Sequence, residues 1–503
     1  MSFFKQYKWI ALFAVLLAIL YFFTRLYHLM FLPMFTDEAI YVRWAQVGFF
    51  DPAWRFISLT DGKQPSFTWL TMLLLKFVGN PLASGRLVSV GAGFFTAIGV
   101  FFLTTEIFKN RKAGLVASFL YVISPFALVY DKMALYDSLV GTCMIWSLYF
   151  QILLVRRNRL DLAFILAMTM GAAVLTKTSG FIAVYLLPFS LLLFDFSKKD
   201  RPRRFFTWVG LALVAVIFTY LYYSILRLSP LYYMIDQKNE TFIYSFSDWR
   251  THPFTFLWGN FLGLWDWFIG YVTWPVILLA GGSLLIRREF TREKLLLLVW
   301  FGPPLFMLAL FGKVLYPRFI FFMTLPILSL AALSLYTIGT KIKKPALAVL
   351  ISLVLLIPTL NEGFFVLTNP YVAPIPGADK GQYLNDWPAG GGIREIVKFF
   401  TEQSRDKKIF VATEGTFGSL PTTAVEIYFM HNELVEKQGF WPIHDEIPSL
   451  VLEKAKVMPT YFVFNQGKPA PATWPVKLIA QYQKGVGSSY LYLYEVLPPT
   501  SKK

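Results

Sequence analysis

Two carboxylates stand together in "MFTDEAIYVRWAQ" (Met34 to Gln46), directly after the first long apolar run of the chain. A carboxylate can take up a proton, and an amine can hold an anion. The amines follow further on: Lys63 in "DGKQPSFTW", Lys132 five places before Asp137 in "DKMALYD", Lys177 in "LTKTSGF", and Lys313 and Arg318 in "GKVLYPR". An ionisable side chain in a transmembrane region costs about 2.5 to 3.5 kcal/mol on insertion scales and usually marks function. Each has a bland reading as well. The acidic stretch makes an interfacial amphipathic helix with Thr36 as N-cap and both acids in its first turn, where the helix dipole favours them. "DGKQPSFTW" reads as a turn, and Lys177, Lys313 and Arg318 read as snorkelling side chains.

The chain that must position these groups is a membrane protein. Of its 503 residues 56% are hydrophobic and 15% charged, and the mean hydropathy is +0.54, too apolar for a soluble protein of this size. Windows long enough to cross a bilayer fall at residues 9–26, 87–107, 113–130, 138–155, 160–175, 179–196, 205–226, 266–286, 295–312, 317–338 and 345–366, about eleven helices. The apolar run 67–78 is shorter, contains Lys76 and ends at Gly79-Asn80-Pro81, so it is read as lying in the interface. With that parity every second loop is basic, from Lys109/Arg111/Lys112 to Lys341/Lys343/Lys344, and joins Lys5 and Lys8 in the cytoplasm. The net charge of +17 is thus a topology signal and does not point to nucleic acid. The first run, Trp9 to Phe23, is read as a retained signal anchor, and residues 27–86 as a large first outer loop.

The acids and the isolated cations then all fall at outer helix ends or in outer loops, consistent with one shared polar site. Residues 368–503 read differently. Pro and Gly punctuate 370–393, "IREIVKFFTEQ" and "PSLVLEKAKV" look helical, and "KKIFVATEG", "TYFVFN" and "SSYLYLYEV" look like strands. The expectation is a membrane domain over 1–367 and an extracytoplasmic α/β domain over 368–503. The lone Cys143 forms no intramolecular disulfide, and the histidines lack metal-ligand spacing.

"TDEAIYVRWA", "GKQPSFTWL", "KMALYD" and "LTKTSGF", in this order and on one side, resemble the GT-C fold glycosyltransferases of the polyprenyl- or dolichyl-phosphate-sugar type, in particular the protein mannosyltransferase and aminoarabinose transferase branches. The resemblance covers residues 1 to about 366. It implies a multi-pass enzyme of the cell envelope, with a cytoplasmic N-terminus, that takes a sugar from a polyprenyl-phosphate donor and passes it to a protein or lipid/glycan acceptor. It implies Asp37 as the catalytic acidic residue, with Glu38 beside it and Asp137 as a second acid. Lys63, Tyr41 and Lys177 take positions near the donor phosphate, and Lys132, Arg318 and Lys313 are candidates for the same charge. The chain departs from the family pattern at Ile40, at "KQPS" in place of a Pro pair, and at Gly62, where some relatives carry an acidic metal ligand. The glycine argues against a metal site of that particular type, with Asp61 or Glu38 as substitute ligands for a divalent cation, the one cofactor the resemblance raises. A transporter or flippase of a lipid-linked or anionic substrate is the alternative, although no internal repeat is found.

Overall fold

The computed structural model describes residues 2–415, 418–466 and 468–498. It is predominantly helical and divides into two compact units. The first comprises Met1–His28, Ala53–Leu70 and Arg86–Pro376, and the second Leu29–Pro52, Thr71–Gly85 and Gly377–Lys503. The protein is a multi-pass membrane protein. Among the described residues six helices are long and apolar enough to cross a bilayer, or up to eight spans if each of two bent helix pairs is one. The helix Ser66–Leu75 has ten residues and so extends only about 15 Å, half of a hydrocarbon core.

Several apolar windows are broken where proline removes an N–H from the ladder. The 113–130 window divides at Ser124, extended before Pro125, into Arg111–Ile123 and Pro125–Tyr130. The 266–286 window divides at Thr273 into Leu257–Val272 and Trp274–Ser283, bent by 99°. Pro345–Leu355 and Ile357–Thr368 meet at 62°. Pro275 and Pro358 each stand in the first turn after the break. At the centre of the first unit runs Phe321–Lys341, buried along most of its length and packed against Arg111–Ile123, Tyr136–Arg157 and Trp274–Ser283. A buried Thr104–Ser329 hydrogen bond of 2.7 Å fastens it to Pro81–Phe108.

The first unit also buries an ion pair. Arg25, near the end of the first helix, donates from Nε to Oδ2 of Asp131 at 3.3 Å, both side chains being fully buried. Ser138 and Tyr121 donate to the same carboxylate at 2.8 and 3.0 Å, and Arg25 also bonds the carbonyl of Val122. Room for the carboxylate comes from Gly93, where a Cβ would stand 2.3 Å from Cγ of Asp131. The network ties the first helix to the turn that leads into Asp137. Asp131→Ala leaves a buried guanidinium uncompensated and is expected to cost about 3–5 kcal/mol. The check is the thermal midpoint and folded yield in detergent, with Arg25→Met/Asp131→Leu recovering part of the loss.

The second unit is built on a five-stranded sheet. Short strands β1 (Met34–Phe35) and β2 (Ala389–Gly390) pair antiparallel, Met34 with Gly390 and Phe35 with Ala389. The sheet proper consists of β3 (Ile409–Glu414), β4 (Val435–Phe440), β5 (Thr460–Phe464), β6 (Val476–Gln483) and β7 (Tyr490–Val496), in the order β4-β3-β5-β7-β6. β4, β3 and β5 are parallel, and β7 runs antiparallel to both its neighbours. Alternation divides the side chains between two faces. Phe410, Ala412, Phe462, Phe464, Tyr494 and Val496 form one apolar cluster with Val451 of the helix Ser449–Val457. On the other face Tyr461 meets Phe399 and Phe400 of the helix Ile393–Gln403. The result is an α/β layered domain. The helix Leu420–Tyr428 and strands β4 and β6 are additions to the elements read from the sequence.

Candidate active site

In the first unit a cavity of about 720 Å³ opens among helix ends. Lys63 enters it from the segment before the short Ser66–Leu75 helix, Asp137 from the first turn of Tyr136–Arg157, Lys177 from the end of Leu160–Thr176, and Arg318 from the turn before Phe321–Lys341. Lys238 enters from the helix Met234–Phe242. Four cations thus face one carboxylate on a lining otherwise rich in Phe, Ile, Leu and Met.

The cations are held individually. Lys177 Nζ donates to Asp137 Oδ1 at 2.7 Å and lies 4.7 Å from the ring centre of Phe319. Lys63 lies over Phe242 at 5.1 Å, and Arg318 over Tyr316 at 5.0 Å. Such contacts keep an ammonium or guanidinium oriented where water is scarce. Gln64 donates to Thr178 Oγ1 at 2.8 Å, joining the Lys63 segment to the Lys177 turn. Lys238 bonds Asp61 at 2.5 Å. Its approach requires Gly62, which has φ +62°, and a Cβ there would stand 2.3 Å from the carbonyl oxygen of Met234 and 2.5 Å from Cβ of Lys238. Position 62 therefore has no room for a carboxylate, Asp61 is paired with a lysine, and among the described residues no three His, Cys, Asp or Glu converge as a metal site. The side chains here do not fit a divalent cation.

Two of the cations read from the sequence lie elsewhere. Lys132 is buried, and its amine donates to the carbonyl of Tyr27 at 2.8 Å; it is not on the cavity lining. Lys132 and Asp137, on either side of a turn, take separate partners, the Tyr27 carbonyl and Lys177. Lys313 is exposed, 5.7 Å from the ring centre of Tyr244, while its neighbour Gly312 forms part of the wall. Lys238, by contrast, is missed in the sequence: it lies between the apolar windows 205–226 and 266–286, where a lysine is not conspicuous.

Asp37, Glu38 and Tyr41 belong to the helix Thr36–Phe50 of the second unit. Thr36 is not the N-cap expected from the sequence. Phe35 occupies that place, Glu38 Oε2 accepts its N–H at 3.0 Å, and the Thr36 hydroxyl goes to the carbonyl of Pro388 at 2.9 Å. The strand pairing at Met34–Phe35 moves the helix start back by one residue. Glu38 is fully buried, whereas Asp37 is partly open and accepts from Tyr41 at 3.4 Å. The far side of this helix is held by Arg43–Glu426 at 3.0 Å and by Gln46 Nε2 on the carbonyl of Ile427 at 3.0 Å. Near its start lies Lys484, whose amine burial pushes down to about 7 while Glu414 and Asp386 act in the opposite sense.

Apolar helices around a cationic cavity in the first unit, and an α/β domain in the second, make up a fold shared with solved proteins. Residues 62–223, the stretch with Lys63, Asp137 and Lys177, match the family described as dolichyl-phosphate-mannose-protein mannosyltransferase. Two solved structures of ArnT from Cupriavidus metallidurans share the fold over nearly the whole chain. The one bound to undecaprenyl phosphate is 13% identical with a TM-score of 0.57, covering 97% of this chain and 98% of that one. The apo form is 15% identical with a TM-score of 0.59, covering 98% of each. None of the curated proteins matches the chain in sequence.

Proposed function

We propose that the protein is a membrane glycosyltransferase that moves a sugar from a polyprenyl-phosphate donor to a hydroxyl of a protein, lipid or glycan acceptor on the outer face of the cell membrane. The observation that carries this reading is the cavity that Lys63, Lys177, Lys238 and Arg318 line together with Asp137, on otherwise largely apolar walls. Cations suit a phosphate, and apolar walls suit the isoprenoid chain attached to it. The fold and the match over residues 62–223 favour transfer over transport.

In this reading residues 1–367 are the membrane domain, with the N-terminus in the cytoplasm, and 368–503 are extracytoplasmic. Asp37 takes the proton of the acceptor hydroxyl as its oxygen attacks the anomeric carbon. The bond from that carbon to the phosphate oxygen breaks with inversion, and the electron pair leaves on polyprenyl phosphate, held by the preorganised cations. Asp137 orients Lys177 through the bond at 2.7 Å. Glu38 fixes the start of the helix that carries Asp37, and Tyr41 steadies the Asp37 carboxylate.

The test is product analysis in vesicles containing the purified protein, an acceptor-bearing membrane extract and a polyprenyl-phosphate sugar labelled in the sugar. Label bonded covalently to an acceptor, with release of polyprenyl phosphate, is expected. Movement of intact donor across the bilayer without covalent product would overturn the reading in favour of a flippase.

A further inference from the structure

The helix that carries Asp37 is set from the C-terminal domain by a continuous chain of hydrogen bonds. Thr36, the residue before Asp37, donates both its amide N–H, at 3.1 Å, and its hydroxyl, at 2.9 Å, to the carbonyl of Pro388. The preceding carbonyl, that of Trp387, accepts from Lys484 Nζ at 2.8 Å and from Asn465 Nδ2 at 2.9 Å. Lys484 Nζ also donates to the carbonyl of Asn465 at 2.9 Å. Asn465 follows β5, and its N–H and that of Gln466 are both accepted by Glu414 Oε2, at 2.8 and 2.9 Å, at the end of β3. Lys484 follows β6, with its own N–H on the carbonyl of Ser489 at 2.9 Å. The ends of three strands therefore converge on the Trp387–Pro388 peptide, two hydrogen bonds from the residue beside Asp37.

The close fit of this segment depends on glycine. At Gly390 a Cβ would stand 2.4 Å from the carbonyl oxygen of Met34, so only glycine lets β2 lie against β1 here. Lys484 is itself fully buried. An amine is a costly residue to bury, and an apolar side chain would serve a sheet end at less cost. What the amine supplies is two donated bonds, both to carbonyls of connecting segments and neither to a strand partner.

We propose that Lys484 is a positioning residue: together with Asn465 it fixes the Trp387–Pro388 segment, and through Thr36 that segment sets the direction in which Asp37 points. The proposal rests on Asp37 being the base of the transfer reaction. It gives the C-terminal domain a part in turnover without requiring it to touch the donor.

Lys484→Met in the full-length protein tests it by two readouts. Hydrogen exchange of the peptide spanning residues 34–38 is expected to accelerate about 10-fold or more, while amides of β3, β5 and β7 keep their protection. In the transfer assay kcat is expected to fall about 10-fold or more, with KM for the polyprenyl-phosphate sugar within about twofold, because a displaced base affects the chemical step and leaves donor binding intact. Thr36→Val, which removes one hydroxyl at the helix start and nothing from the sheet, is expected to move both readouts in the same direction, and it carries the test should Lys484→Met not fold. Unchanged exchange at 34–38 in a folded variant overturns the proposal, as does faster exchange with unchanged kcat, or a rise in KM alone. The reading of Asp37 fails by a separate result, full turnover of Asp37→Asn.

Discussion

Asp37→Asn is expected to lower sugar transfer by about 10²- to 10⁴-fold, the usual contribution of a positioned general base. The amide has nearly the same shape but no basicity, and it still accepts a hydrogen bond from Tyr41, so folding and membrane insertion should persist. Initial rates with labelled donor, normalised to protein in the membrane, measure the effect. Glu38→Gln supplies the contrast. Glu38 is fully buried and its Oε2 accepts the N–H of Phe35, a bond that a glutamine oxygen can also make. Its activity loss should be far smaller than that of Asp37→Asn. Equal losses would show that the two acids act as one unit, and full activity of Asp37→Asn would remove the assigned base.

Lys177→Met should lower kcat/KM by about 10²- to 10³-fold, the range for removing one preorganised donor from a developing oxyanion. Lys177 is the candidate of choice among the cavity cations because its ammonium is held on two sides, by Asp137 at 2.7 Å and by the face of Phe319 at 4.7 Å. A group fixed before the substrate arrives needs no reorganisation as charge develops on the leaving phosphate. Two lysines outside the lining serve as controls. Lys313→Met should leave kcat/KM within about twofold, since it removes one exposed charge. Lys132→Met removes the bond to the Tyr27 carbonyl and should lower the thermal midpoint without raising KM for the donor. Retention of full kcat/KM by Lys177→Met would mean that the phosphate is held elsewhere.

Much of the membrane character could be read residue by residue. Apolar windows and basic loops report the solvent of each segment, which is a local property, and they led to a multi-pass protein with an α/β tail. Ionisable residues stood out for the same reason. Lys63, Asp137, Lys177 and Arg318 are conspicuous in apolar surroundings, and all four line one cavity. In the tail, "IREIVKFFTEQ" and "KKIFVATEG" show helical and alternating periodicity, and they form the helix Ile393–Gln403 and strand β3.

What the tertiary structure alone decided are pairings between distant residues, because periodicity carries no information on which remote group a side chain will meet. Arg25 lies 106 residues from the Asp131 it neutralises, and Thr36 lies 352 from the Pro388 carbonyl that replaces its expected capping role. Lys238 reaches the cavity because Gly62 has no side chain to keep its helix away, and Lys132 leaves it because its turn presents the amine to the Tyr27 carbonyl. The acidic helix follows the first apolar run in sequence, yet its start is one strand of a pair completed by Ala389–Gly390, so the backbone hydrogen bonds of the C-terminal segment decide where Asp37 stands.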